Sequence, residues 1–368
     1  MPKVNNFDLI RLAAALQVAI THSIPLFLPG SRDSPLLQFI QLFPGVPIFF
    51  FVSGFLISKS FERNSVLREY ALNRILRIYP ALIVCFLVSL IAVALTGYFS
   101  VERAPLRAIA LWILAQISFG QFYNPDFMRH FGTGVLNGSM WTITVELQFY
   151  ALLPVLYAVF RAAGCTLRRT NWSLGALIVL FWGVNYLYVH GAAHHADQFW
   201  FKLVGVSFLP WFGMFLVGVF FQRNAERIYG WLRGRLPLIF VAYAVIATLG
   251  NSLLKWNLGN TMSAPLFLAL VVLVFCMAYS NSGLSDRLLK RNDISYGVYI
   301  YHMLAANLLM ALGFRNTGTG FILTMCATLV FAVASWKWIE KPALAWKRHP
   351  LYPHSDGAAA GDRWVRTP

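Results

Sequence analysis

The chain has 368 residues and a net charge of +16, from 30 Lys and Arg against 14 Asp and Glu, yet only 12% of it is charged and 58% is hydrophobic. A soluble domain carries about 25% charged residues, so the composition excludes both a disordered chain and an ordinary soluble domain, and the bilayer is the remaining solvent for the apolar excess. Apolar runs near spanning length recur from Phe7 to Trp338 with no gap wide enough for a separate soluble domain.

The first run, 7–27, carries Asp8 and Arg11 near its start and His22 near its far end, and no small-x-small cleavage site follows it. It reads as a retained span rather than a signal peptide. Further runs fall at 42–58, 80–96, 106–119, 142–160, 173–190, 203–221, 236–253, 264–280, 294–313 and 321–339. Loop charge decides which of them cross. Lys and Arg number five in 59–79, three in 161–172, four in 222–235 and three in 281–293, against one each in 28–41, 191–202, 254–263 and 314–320. The positive-inside rule puts the four basic loops in the cytoplasm. That agreement requires one run not to span, and the shortest, 106–119, has the length of an interfacial or re-entrant segment. The expected architecture is an all-α polytopic membrane protein of ten transmembrane helices plus the short helix 106–119. Residues 1–345 form one integral-membrane domain, both termini are cytoplasmic, and 346–368 is a disordered tail. The basic excess then orients the chain in the bilayer and is not a nucleic-acid footprint.

An ionisable side chain within a span costs at least about 2.5–3.5 kcal/mol at the helix centre and is a functional candidate by default. Few occur: Asp8, Arg11 and His22 in the first run, Glu146 in 142–160 and His302 in 294–313. Arg11, Ala15, Val18 and His22 share one helical face, which would carry a cation near the cytoplasm and an imidazole in the outer half, where Glu146 also lies. Arg74-Ile-Leu-Arg77 places two guanidiniums three residues apart just before a span, a geometry suited to phosphate but equally to an ordinary basic flank. His302 could simply bond a carbonyl or hydroxyl. Ser53-Gly54 interrupts the second run with small residues of the kind that let helices pack closely. Cys85, Cys165, Cys276 and Cys326 are scattered, and His190, His194 and His195 straddle a Gly-containing loop, so neither a disulfide frame nor a metal site is expected. Gly132-Thr-Gly134 and Asn137-Gly138 read as loop punctuation.

Six blocks in order resemble the integral-membrane acyltransferase type 3 family, which O-acylates bacterial polysaccharides and related glycans. They are Phe7-Asp8 through Arg11 to His22; Phe49 through Ser53-Gly54 to Ile57; Tyr70 through Asn73-Arg74 and Arg77 to Pro80; Trp141 through Glu146 and Tyr150 to Pro154; Ser295-Tyr296-x-x-Tyr299-x-x-His302; and Glu340-x-Pro342. The resemblance implies that His22 is the essential histidine, that Arg11, Arg74 and Arg77 serve the acyl donor, and that Glu146 fills the family's acidic position. Ser53, Trp141, Tyr150, Tyr296 and His302 are supporting positions. Asp8 departs from the basic or small residue common there and could pair with Arg11 in its own helix.

The expected reaction is transfer of an acyl group, acetyl in the first instance, from acetyl-CoA or another acyl-CoA to a hydroxyl of a polysaccharide, lipid-linked glycan or glycolipid, at the bacterial inner membrane and without a permanently bound cofactor. His22 would accept the hydroxyl proton, and Glu146 could orient His22 or stabilise its cation. Two other readings fit a polytopic chain with intramembrane His, Glu and Arg. A transporter would use them as a proton or solute pathway but should show internal repeats, which are not evident. A scaffold subunit of a glycan-assembly complex should tolerate loss of His22.

Overall fold

The computed structural model describes residues 2, 4–31, 33–102, 104–164 and 166–346; most of the expected tail 346–368 therefore lies outside the described residues. Among those described there is no strand, and each of the ten expected spanning runs lies on helix. Six helices are long and apolar enough to cross a bilayer: Phe7–Phe27, Pro35–Arg63, Leu67–Leu95, Trp141–Ala162, Arg168–His195 and Gly318–Ala345. A seventh forms if Ala225–Leu232 and Leu236–Ser252, bent by 93° at their junction, count as one. The remaining runs form shorter helices such as Ala264–Tyr279 and Ser295–Ala311. At 1.5 Å per residue a 17-residue helix reaches about 25 Å, so full spanning length covers six or seven of the ten.

The run 203–221 departs from expectation because it is not continuous. Helix stops at Gly205 and resumes at Phe212. Pro210, which has no N–H and clashes with the preceding turn, lies in the gap. Backbone groups freed by such a break need internal partners in an apolar medium, and side chains supply them. Gln148 donates to the Val206 carbonyl (3.0 Å) and accepts from the Phe208 N–H (2.9 Å), Asn185 donates to the Pro210 carbonyl (3.0 Å), and the Trp211 indole donates to the Gly205 carbonyl (2.8 Å).

The basic loops converge on one end of the bundle. Glu62, of 59–79, pairs with Arg223 of 222–235 at 2.7 Å; Asn171, of 161–172, bonds Asn224 at 2.9 Å; Asp293, of 281–293, pairs with both Arg11 and Arg77. At the other end the Asn316 N–H donates to the Leu26 carbonyl (3.3 Å) and Arg315 to the Gly132 carbonyl (3.1 Å). Between the two ends, Gly54 and Gly218 bring helices Gly45–Arg63 and Phe212–Arg223 into backbone contact. A Cβ at Gly54 would stand 2.0 Å from the Phe215 carbonyl oxygen, and one at Gly218 2.2 Å from that of Phe51. This is the close packing expected of Ser53-Gly54.

Helix Leu106–Ile117 has a re-entrant course. Trp112, fully buried, packs on Phe86, Phe99 and Phe127. The segment ends where the Ser118 carbonyl accepts from the Tyr79 hydroxyl (3.4 Å), sixteen residues and about 24 Å down the neighbouring helix from Leu95. The chain then returns through Gln121, bonded to Thr144 at 2.8 Å, and the 132–140 loop delivers it to Trp141.

Candidate active site

At the basic end, Arg11 and Arg77 share the Asp293 carboxylate, and the second Arg77 terminal nitrogen lies 3.6 Å from Glu340. These side chains are nearly enclosed, from 21% exposed for Arg11 to 1% for Glu340. Asp293 caps the Ser295 helix, accepting from both its N–H and its hydroxyl. Burial would raise its carboxyl, but Arg11, Arg77 and the Ser295 bonds outweigh it and hold Asp293 well below the usual carboxylate range. Glu340 is placed by a single π-helical turn, Trp336–Glu340, and also accepts from Ser335 at 3.0 Å. Arg74 differs from its neighbours. Its guanidinium lies over the rings of Tyr150 (5.7 Å) and Tyr70 (6.0 Å), and its Nε is buried without a hydrogen-bond partner. Tyr296 lies beneath Arg77 (6.0 Å) and donates to the Ile78 carbonyl (3.1 Å).

A narrow cavity leads away from Arg11. Glu146, Thr142, Tyr296 and Tyr299 line it together with Phe49 and Phe50. Glu146 accepts from Ser53 at 2.6 Å and from the Tyr150 hydroxyl. Trp141, at the head of the same helix, stacks obliquely on Trp211 at 5.2 Å.

At the far end of the cavity Tyr299 bonds Thr142 (2.6 Å) and the Ser139 carbonyl (3.2 Å), which leads directly to the histidines. His302 is wholly buried, its Nδ1 2.7 Å from the Tyr299 carbonyl oxygen. A carbonyl can only accept, so Nδ1 carries the hydrogen, and in the neutral ring Nε2 is an acceptor. That nitrogen lies 3.0 Å from His22 Nδ1 and 3.1 Å from Ser139 Oγ. The His22 hydrogen is thereby assigned to Nδ1 and its lone pair to Nε2. His22 itself is exposed, in contrast to its partner. Arg11 and His22, eleven residues apart on one helix, are separated by about 16 Å along its axis.

Ser139 is held by a clasp. Asn307, fully buried, accepts from the Thr133 N–H (2.9 Å) and donates to the carbonyls of Val135 (3.0 Å) and Leu136 (2.9 Å), while Asn137 donates to that of Ile300 (2.7 Å). The 132–138 glycines thus belong to a loop fastened to helix Ser295–Ala311, where Gly132 has φ +57° and no room for a Cβ against Asn307.

Of the residues singled out in the sequence, Arg11, Arg77, Tyr296 and Glu340 meet at one end, Ser53, Glu146 and Tyr150 meet in the middle, and His22 meets His302 at the other end. One expectation is corrected: no hydrogen bond joins Glu146 to His22 among the described residues, and the position expected for Glu146 beside the imidazole is taken by His302. Asp8 forms no ion pair with Arg11 among the described residues, because the guanidinium turns to Asp293. The sequence reading missed Asp293, Ser139, Asn137 and Asn307. Only Asp293 left a signal, as an acidic residue directly before the Ser295-Tyr296 block in an otherwise basic loop.

The bundle thus carries an arginine–carboxylate cluster at one end and an exposed histidine, paired with a buried one, toward the other. Residues 4–337 match the acyltransferase domain family, and the chain belongs to it: this is a multi-pass membrane acyltransferase. It is 31% identical over 358 residues to Nodulation protein 10 of Rhizobium leguminosarum bv. viciae, covering 92% of this chain and 93% of that protein. It is 25% identical to the O-acetyl transferase of Shigella phage Sf6, over 93% of this chain and 96% of that one, and 27% identical to Exopolysaccharide production protein ExoZ of Rhizobium meliloti (strain 1021), over 82% and 89%. No solved structure matches it.

Proposed function

We propose that the protein transfers an acyl group, acetyl in the first instance, from acyl-CoA to a hydroxyl of a cell-surface polysaccharide, lipid-linked glycan or related sugar acceptor, with His22 as general base. The observation that carries this reading is the hydrogen-bond chain from the Tyr299 carbonyl through His302 to His22, which leaves an exposed imidazole with its basic nitrogen outward. A sugar hydroxyl is a poor nucleophile at neutral pH. Its oxygen attacks the thioester carbonyl as its proton passes to His22 Nε2, and the tetrahedral adduct collapses as the C–S bond breaks. The thiolate then recovers a proton from the imidazolium, which returns His22 to its starting state. His302 cannot leave its carbonyl without losing a bond in an apolar site, so it acts as the positioning group.

The donor enters from the basic end, which on this reading faces the cytoplasm of a bacterial cell with both termini on that side, in the inner membrane. Arg74, whose Nε is free, and Arg11 with Arg77 would meet the nucleotide phosphates. The pantetheine arm would run past Glu146 toward His22, which requires the cavity beside Arg11, about 30 Å³ in this structure, to widen. The O-acetyl transferase of the phage relative supports an oxygen acceptor, and the exopolysaccharide relative supports a glycan.

The test is purified protein in detergent with acetyl-CoA and a soluble sugar acceptor, comparing wild type with His22→Ala and His22→Gln. Both variants should lose transfer by at least about a hundredfold, the lower range for a positioned general base, while retaining acetyl-CoA binding and thermal stability. Near-normal turnover by either variant would remove His22 from the chemistry.

A further inference from the structure

Helix Ala225–Leu232 turns Ala225, Ile228, Tyr229 and Leu232 inward and leaves Arg227 and Trp231 exposed, the spacing of an amphipathic helix. The chain then bends by 93° into helix Leu236–Ser252, turning through Gly234 at φ +75°. The short helix therefore lies across the basic end of the bundle, as interfacial helices do, with Trp231 63% exposed and the Arg227 guanidinium 5.7 Å from its ring.

Beneath this bend, against the end of helix Ala264–Tyr279, is a cavity of about 310 Å³, within the size range of small-ligand sites. Leu232, Phe275 and Cys276 make an apolar wall, and Arg233 with Ser280 and Asn281 makes a polar rim. Two features point to an anionic ligand. Arg233, exposed at the rim, forms no ion pair with an acidic residue among the described residues. Tyr279, only 5% exposed, lines the same cavity with a buried hydroxyl that has no hydrogen-bond partner. An unpaired buried hydroxyl is costly, and an acceptor oxygen brought by a ligand removes that cost. None of the residues assigned to acyl transfer lines this cavity.

We propose that the cavity is a binding site for the phosphate ester of an anionic phospholipid headgroup, with Arg233 and the Tyr279 hydroxyl donating to phosphate oxygens and the apolar wall receiving the glycerol portion. The ligand's other possible source is the phosphate of coenzyme A. The lipid is favoured because the site sits at interfacial depth between two basic loops, the position where membrane proteins take anionic headgroups. It is also apart from the cavity that leads to Glu146 and Tyr299.

The test is native mass spectrometry of the full-length protein in equimolar phosphatidylglycerol and phosphatidylcholine, with thermal melting in each lipid alone. Wild type should retain phosphatidylglycerol preferentially and melt higher in it. Arg233→Gln should lower retention about tenfold, the loss of one charge-assisted hydrogen bond. Arg235→Gln, on the same loop but outside the cavity, should retain lipid like wild type. Tyr279→Phe should melt normally in phosphatidylcholine, since it removes only an unpaired hydroxyl, and lose the rise given by phosphatidylglycerol. Equal losses for Arg233→Gln and Arg235→Gln would reduce the effect to general surface charge and overturn the site. Displacement of the lipid by stoichiometric coenzyme A would overturn the lipid assignment in favour of the donor. Because the readout is lipid retention, either result leaves the His22 reading untouched.

Discussion

Replacing His302 by Ala removes the acceptor that fixes the His22 tautomer. In the intact protein His22 Nδ1 faces His302 Nε2 at 3.0 Å, and that nitrogen is an acceptor only because the Tyr299 carbonyl holds the hydrogen on the other side of the ring. Without it the His22 hydrogen can sit on either nitrogen and the exposed ring can rotate. The lost hydrogen bond is worth about 0.5–1.5 kcal/mol, and the recovered rotamer freedom adds up to about 1 kcal/mol. Together these correspond to a fall in kcat of roughly 2- to 70-fold, with the KM for acetyl-CoA unchanged because Arg11, the donor arginine on the same helix, lies about 16 Å away along its axis. The assay is release of free coenzyme A thiol by purified protein at saturating acceptor, with melting temperature recorded because the substitution also opens a buried cavity. His302→Gln is the companion variant. Its amide oxygen can still accept from His22, so it should recover most of the lost rate. Wild-type kcat in His302→Ala, an effect confined to KM, or equal losses for Ala and Gln would refute the tautomer argument.

Glu146→Gln keeps the shape of the site but weakens the bonds from Ser53 and Tyr150, so it should raise the donor KM several-fold with a smaller change in kcat, as initial-rate kinetics will show. The reverse split would put the carboxylate back beside His22. Arg74→Ala should weaken acyl-CoA binding by about tenfold or more in a labelled-donor assay without lowering the melting temperature, whereas Arg77→Ala should lower both, since it strips a partner from Asp293 and Glu340. Lysine replacements with a fusion-tag check of topology separate the loss of the planar fork from loss of orientation. Asp293→Asn leaves Arg11 without its partner and should destabilise the protein by about 3–5 kcal/mol, the usual result of breaking an enclosed ion pair. The Asp293 carboxyl is held below its ordinary value, so its contribution is fully present above the unfolded-state pKa near 4 and is lost only as pH falls through the lower folded value. The melting-temperature gap between wild type and Asp293→Asn should therefore stay constant from about pH 8 to pH 5; a gap that closes across that window would contradict the assignment.

The parts of the molecule legible in the sequence are those written as local pattern. Apolar runs became helices, the basic loops gathered at one end, and the short 106–119 run folded back on itself because it was too brief to cross. Gly54 reads as a close-packing position from its neighbours alone. What could not be read was pairing over long separations. His22 and His302 stand 280 residues apart, and each alone resembles an ordinary intramembrane histidine. Glu146 looked like their partner because depth was the only coordinate available, and depth does not tell which way a side chain turns. Asp293 was hidden for another reason: in a loop rich in Lys and Arg, one carboxylate reads as charge moderation until the fold brings Arg11 and Arg77 to it. The break at 206–211 was not anticipated although Pro210 stands in it, and its tolerance depends on Gln148 and Asn185, which only the folded chain brings there.

The clasp around Asn307 divides the far end of the molecule into parts with different freedom to vary. The aromatic cluster of Phe86, Trp112 and Phe131 is a small core of its own, separate from the main one, and carries most of the segment between Leu95 and Gly132. Beyond Gly132 the chain is committed, bonded residue by residue to the helix that bears His302. The first part meets the main bundle through Tyr79 and Thr144, whereas the second part holds the imidazole pair directly. A chimera cut at Leu95 and Gly132 is therefore the test of that division, with melting temperature showing whether the main core survives the exchange.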